Sequence, residues 1–151
     1  MILISHRGNI NSKKPELENS PEYIRKVIEL GYECEVDVWY KDSKLFLGHD
    51  KPEYLLEETL LIEYSDVLWL HCKNLDAIRY FTSIDILGDQ YNYFWHEKDT
   101  ITLTSQNYIW AYPGKQPVED SIAVLPEIYN EDTSKAIGVC SDFIQRYKQY
   151  I

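Results

Sequence analysis

Apolar and polar positions along this chain fall into short runs, most of them too brief for a helix. Ile2 to Ser5, Glu33 to Trp39, Lys44 to Gly48, Val67 to Cys72, Asn92 to Trp95, Asn107 to Ala111, Ile122 to Leu125 and Ile137 to Cys140 are rich in β-branched, aromatic or leucine residues. Polar residues close each run, so about eight strands are predicted. Helical spacing is clearest from Ser20-Pro21-Glu22 to Leu30-Gly31. Ser20 fits an N-cap, Pro21 fits the first turn, Tyr23, Val27 and Leu30 share a face, and Gly31 stops the helix. A second helix is predicted from Asn74 through Phe81 with Asn74 as its cap, and shorter ones over Glu53 to Leu61 and Phe143 to Tyr150.

The alternation of strand and helix argues for an α/β class with a largely parallel sheet. Eight strands in 151 residues leave too little chain for a full helix after each, since (β/α)8 barrels run about 250 residues. Several helices must be missing or reduced to a turn. Between Asp37 and Leu45 a parallel crossover cannot fit. Lys41-Asp42-Ser43-Lys44 is therefore expected to reverse the chain tightly and bring Asp37 and His49 together.

Composition bounds the possibilities. An apolar fraction of 44%, with 14% aromatic residues, supports a packed core, and no linker or repeat divides the chain, so residues 1–151 are read as one domain. The net charge of −10 repels polyanions and argues against nucleic acid as a partner. A small anionic substrate remains compatible, because a cleft can differ in sign from the whole and a divalent cation would invert it. Cys34, Cys72 and Cys140 lack C-x-x-C spacing and read as buried thiols. Met1-Ile2-Leu3-Ile4 reaches Ser5-His6-Arg7 at once, too short for a signal peptide or membrane span. A cytoplasmic location is the expectation.

Candidate chemistry starts on one strand. In Glu33-Cys34-Glu35-Val36-Asp37-Val38, period two places Glu35 and Asp37 on one face and Cys34, Val36 and Val38 on the other. Two neighbouring carboxylates need solvent, a proton or a cation, and hard divalent ions commonly fill that need. An E-x-D pair alone is more often a solvated face. All four histidines, His6, His49, His71 and His96, fall at or just beyond the end of a predicted strand, the edge where α/β proteins bind ligands. One such histidine is usually structural, but four in equivalent places suggest a site.

These residues carry a resemblance. His6-Arg7-Gly8, Glu18-Asn19-Ser20-Pro21 opening a helix, Glu35-Val36-Asp37, Gly48-His49-Asp50, Lys73 on the next strand and Gly138-Val139-Cys140-Ser141-Asp142-Phe143 resemble the glycerophosphodiester phosphodiesterases. The related phospholipase D toxins of the phosphatidylinositol phospholipase C-like group share the pattern. Order and spacing match over the first half of the chain. The resemblance implies a compact (β/α)8 TIM-type barrel with several helices shortened or missing. It also implies His6 and His49 as general acid and base, Glu35 and Asp37 as metal ligands, Arg7 and Lys73 on the phosphate, and Glu18 and Asn19 as support. In the family a third metal-binding carboxylate usually stands two residues before the lysine, and here His71 takes its place. The expected cofactor is a divalent ion, Mg or Ca, with Mn or Zn suggested by a histidine ligand.

In the later half, His96, Lys98, Trp110 and Tyr112 are candidate pocket wall for the substrate. The competing reading makes Trp95 and Trp110 core aromatics and the charges loop surface. No G-x-S-x-G, G-x-x-x-x-G-K-[ST] or G-x-G-x-x-G occurs, which removes the corresponding hydrolase and nucleotide-binding readings. The functional expectation is metal-dependent cleavage of a small glycerophosphodiester or similar headgroup phosphodiester. The alternative is a catalytically weak or inactive barrel that binds a phosphorylated ligand. Hydrolysis and cyclic-phosphate formation would use the same histidine pair.

Overall fold

A computed structural model describes residues 1–85 and 91–150. Its strands are β1 (Ile2–His6), β2 (Glu33–Lys41), β3 (Lys44–Leu47), β4 (Tyr54–Leu55), β5 (Leu68–Cys72), β6 (Asn92–Trp95), β7 (Ile101–Leu103), β8 (Ile109–Ala111), β9 (Ser121–Val124) and β10 (Gly138–Ser141). Helices α1 (Pro21–Glu29), α2 (Glu58–Glu63) and α3 (Leu75–Asp85) are joined by 3-10 turns at Pro126–Ile128 and Ile144–Tyr150.

Every run singled out in the sequence contains a strand, and the two clearest helices start where their caps predict. Ser20 Oγ accepts from Tyr23 N–H at 3.4 Å, and Asn74 Oδ1 accepts from Ala77 N–H at 3.1 Å. The Asn74 side chain also exchanges two hydrogen bonds with the Tyr40 backbone, tying the start of α3 to the far end of β2. The reversal after β2 is a hairpin with Lys41 opposite Lys44, and both tip residues, Asp42 and Ser43, have positive φ, as a twist-matched two-residue turn requires. It places Gly48 N–H 3.1 Å from Asp37 O.

The expected (β/α)8 barrel is not the fold. The sheet is mixed and curls into a half-barrel. Its parallel part runs β6-β5-β2-β1-β10-β9-β8, while β7 pairs antiparallel with β8 and β3 and β4 pair antiparallel beyond β2. Connection length explains the difference. Residues 96–100 and 104–108 are too few for a parallel crossover, so β7 turns back. No ladder joins β6 to β7 among the described residues; Thr102 Oγ1 donates to Trp95 O at 3.2 Å instead, and beyond β7 Ser105 N–H bonds Tyr93 O at 2.8 Å. Glu53 to Leu61, read as a helix, instead pairs as β4 before α2, because Tyr54 and Leu55 find partners in Leu47 and Phe46. The Phe143 to Tyr150 segment winds as a 3-10 turn.

Alternation splits the core in two. Leu3, Cys34, Val36, Val38, Leu68, Leu70, Ala123 and Val139 face outward, under Ile24 and Val27 of α1, Leu60 and Leu61 of α2, and Ala77 and Phe81 of α3. Their strand neighbours Ile4, Trp69, Val124 and Cys140 face inward, with Phe94, Trp110 and Ile122. The three cysteines are buried and free. Among the described residues no helix is long and apolar enough to cross a membrane.

Candidate active site

Towards the C-terminal ends of β1, β2 and β5 the inner apolar cluster gives way to polar side chains. Register decides which meet. His6 stands opposite Glu35, and Asp37 stands opposite His71. A cavity of about 600 Å³ opens above them, and His6, Arg7, Glu35, His49, His71, Lys73, His96 and Trp110 all border it.

Asp37 is fully buried and surrounded by positive groups. Its Oδ2 accepts from Asn19 Nδ2 at 2.9 Å and lies 2.7 Å from Arg7 Nε, the latter a charge contact outside hydrogen-bond alignment. Its Oδ1 lies 3.1 Å from His71 Nδ1 and 3.4 Å from Lys73 Nζ. Burial would raise the Asp37 pKa, but the close contact with His71 and the charges of Arg7, Lys73 and His71 hold it well below the usual carboxylate range. Asn19, at φ +62°, also accepts Asp37 N–H at 2.9 Å through Oδ1. This amide locks the strand end to the entry of α1. Glu18 binds Arg7 NH1 at 3.4 Å and accepts from Asn9 Nδ2 at 2.8 Å. Burial would lower the Arg7 pKa, yet Asp37, Glu35 and Glu18 raise it.

His6 is oriented from behind. Its Nδ1 donates to Asp142 Oδ1 at 2.7 Å, which leaves Nε2 on the side of Glu35 Oε2, 3.9 Å away. Asp142 is buried, which favours the acid, but the His6 hydrogen bond and charge, then Asn9, lower its pKa. Asn9 gives the same Oδ1 a second bond of 2.8 Å, and Glu127 Oε1 accepts from Asp142 N–H and Ser141 Oγ. In the sequence Asp142 stands out only within Gly138 to Phe143, and nothing local marks Asn9 or Lys13, which also borders the cavity. The late motif was the one available signal for Asp142; Asn9 had none.

His49 differs from the other histidines at the rim. Its side chain is 43% exposed, and Nδ1 sits 2.7 Å from Asp50 Oδ1. Gly48 before it, at φ +146°, has no room for a side chain: a Cβ would lie 2.2 Å from Lys51 O. With Trp39 Nε1 donating to Gly48 O at 2.6 Å, this close approach fixes the loop that carries His49.

Across the cavity the lining changes character. Trp110 is buried against Trp69 and Phe94 at centroid distances of 5.5 and 4.7 Å, so it is a core aromatic whose edge reaches the cavity. His96 stacks on Tyr112 at 3.4 Å. Its pKa is lowered to about 4, first by burial and then by the charges of His71 and Lys73, so it is neutral above that. Burial, then Glu35, raises the Tyr112 hydroxyl pKa. Lys98 stays on the exposed surface.

Glu35, Asp37 and His71 offer ligand atoms within 4.8 Å of one another and could hold a metal ion. The donor set fits one. Glu35 Oε2 and Asp37 Oδ1 are buried without a hydrogen-bond partner, and buried carboxylate oxygens are normally satisfied. His71 Nε2 is 3.4 Å from His96 O, an arrangement that turns a neutral imidazole's Nδ1 lone pair towards both carboxylates. Without an ion the same histidine balances them as a cation. Burial lowers its pKa, but the close contacts with Asp37 and Glu35 and their charges raise it to about 9.

Compared with family models, curated proteins and solved structures, the chain matches none.

Proposed function

We propose that this chain is a metal-dependent phosphodiesterase of the glycerophosphodiester phosphodiesterase type, acting on a small headgroup diester. The observation that carries the reading is the pair of buried carboxylate oxygens that make no hydrogen bond, Glu35 Oε2 and Asp37 Oδ1, beside His71 and beneath the cavity that His6 and His49 border. A divalent ion held by Glu35, Asp37 and His71 would supply positive charge for the phosphoryl oxygens. Arg7, Lys13 and Lys73 add cationic charge around the same cavity, the local inversion an acidic protein needs to admit an anion. His6, its Nδ1 held by Asp142, keeps Nε2 for proton transfer. His49, on the exposed rim, exchanges protons with the departing or entering oxygen.

The test is release of alcohol from glycerophosphodiesters with Mg, Ca, Mn or Zn, followed for wild type, His6→Ala and His49→Ala. Loss of a general acid or base is expected to cut turnover by about 10²–10⁴-fold. Equal rates in wild type and both variants would remove the assignment. Phosphorus NMR of the product separates hydrolysis from cyclic-phosphate formation.

A second reading, a non-catalytic fold that binds a phosphorylated ligand, has one specific observation in its favour. Arg7, Lys73 and His71 already surround Asp37, so part of the acidic cluster is balanced without an ion. Calorimetry separates the two: a binding module takes phosphate in the presence of chelator, whereas the enzyme takes up a divalent ion that Glu35→Gln abolishes.

A further inference from the structure

Leu125, directly after β9, has φ +46° and ψ +47°, a left-handed conformation that a bulky L-residue adopts only at a cost. Two contacts enforce it. Leu125 N–H bonds Cys140 O at 2.7 Å, and the turn that follows is pinned by Glu127 to Ser141 and Asp142. The strained residue borders the same cavity as Pro113, Val124 and the stacked His96–Tyr112 pair. Backbone strain in an otherwise regular strand end concentrates where a side chain must be placed for a ligand.

The cavity is thus divided. Arg7, Glu35, His71 and Lys73 come from β1, β2, β5 and the turns after them, while Tyr112, Pro113, Val124 and Leu125 come from β8, β9 and the turns after them, on the other part of the sheet. A bare phosphate or glycerol would leave the second side facing water. We propose that this apolar side is a subsite for a flat or apolar substituent on the phosphorylated ligand, with Leu125 as its specificity-determining residue. The inference rests on reading the charged side as a phosphate site. The imidazole of His96, stacked on Tyr112 at 3.4 Å, offers a ring face to that subsite. The substrate class that follows is a phosphodiester with a ring or short hydrocarbon arm on one ester oxygen.

Phenyl phosphate and methyl phosphate are suitable probes, because they share the phosphate and differ only in the arm. Calorimetric titration of the full chain is expected to show phenyl phosphate binding roughly tenfold more tightly than methyl phosphate, a step of about 1.4 kcal/mol. In Leu125→Asn, where asparagine tolerates the left-handed backbone, the ratio is expected to fall towards one. Pro113→Ser, on a different loop, is read in the same way and carries the test if the first variant fails to fold. Equal affinities in wild type, or a full preference kept in the folded variants, would overturn the subsite. Preference without turnover on any diester sinks the enzyme reading and leaves the subsite standing, and turnover without preference does the reverse.

Discussion

Val36 and Asp37 are neighbours on β2 and equally hidden from solvent, yet they are held in place by unrelated means. Val36 faces the helices, and its environment is Ile24, Val27 and other apolar side chains. Such a site asks only for volume and the absence of charge. Asp37 faces the curl and depends on Asn19, Arg7, His71 and Lys73, drawn from β1, the α1 entry and β5. Burying that many charges gains little stability over an apolar equivalent, so stability alone does not account for the inner face. Glu35, whose nearest cationic contacts are 3.6 Å to His71 and 3.9 Å to His6, is the less compensated of the two carboxylates.

The comparison can be broken first on the outer face. Val36→Asp would place an uncompensated charge among the apolar residues of the helix-covered core, and a loss of more than about 4 kcal/mol is expected. Loss of the cooperative thermal transition would show it. On the inner face Asp37→Ala leaves Arg7, Lys73 and His71 without their shared counter-charge. The expected cost is about 3–5 kcal/mol in urea melts. Glu35→Gln should fall within about 1 kcal/mol of wild type, because it removes a charge that lacks a full set of partners, and it should abolish any stabilisation by divalent ions. A Glu35→Gln cost matching that of Asp37→Ala would erase the distinction drawn between the two carboxylates.

Acidity sharpens the contrast further. Asp37 has a folded pKa below its ordinary value of 3.8, so its contribution is full above that value and is lost as pH falls below it towards the folded pKa. His71 in the metal-free protein is raised to about 9 from 6.5, so its contribution is full below 6.5 and is lost as pH rises towards 9. His96 is lowered to about 4 from 6.5 and contributes above 6.5, losing it as pH falls to 4. Urea midpoints measured against pH should therefore decline on the alkaline side in wild type and stay flatter there in His71→Asn. An unchanged alkaline decline in that variant would assign the effect to another group. The smallest effect is expected at the hairpin tip, where Ser43→Gly relieves a positive φ far from either face and should stabilise by no more than about 1 kcal/mol.

Legibility followed the range of the interactions. The eight longer apolar runs announced their strands, and Ser20, Pro21 and Asn74 announced helix starts, because capping and alternation act within a few residues. Tyr54 to Leu55 and Ile101 to Leu103 were unreadable, being two- and three-residue strands that exist only through their partners. The barrel expectation failed for the same reason. Short connections forbade crossovers, but which edge each reversed strand would join depended on contacts far along the chain. At the site, His6, Glu35, Asp37, His49 and His71 could be named in advance, whereas the Asp142 bond to His6 spans most of the sequence and had no local sign.

By itself, then, the sequence determined which residues alternate, where helices begin and which side of β2 carries the carboxylates, since each is a matter of local geometry. Only the tertiary structure decided that His71 meets Asp37, that Asp142 holds His6, that the sheet is a mixed half-barrel and that Leu125 is forced into a strained conformation at the cavity. Those outcomes follow from strand register and long-range pairing, which are settled when the whole sheet curls around its inner core.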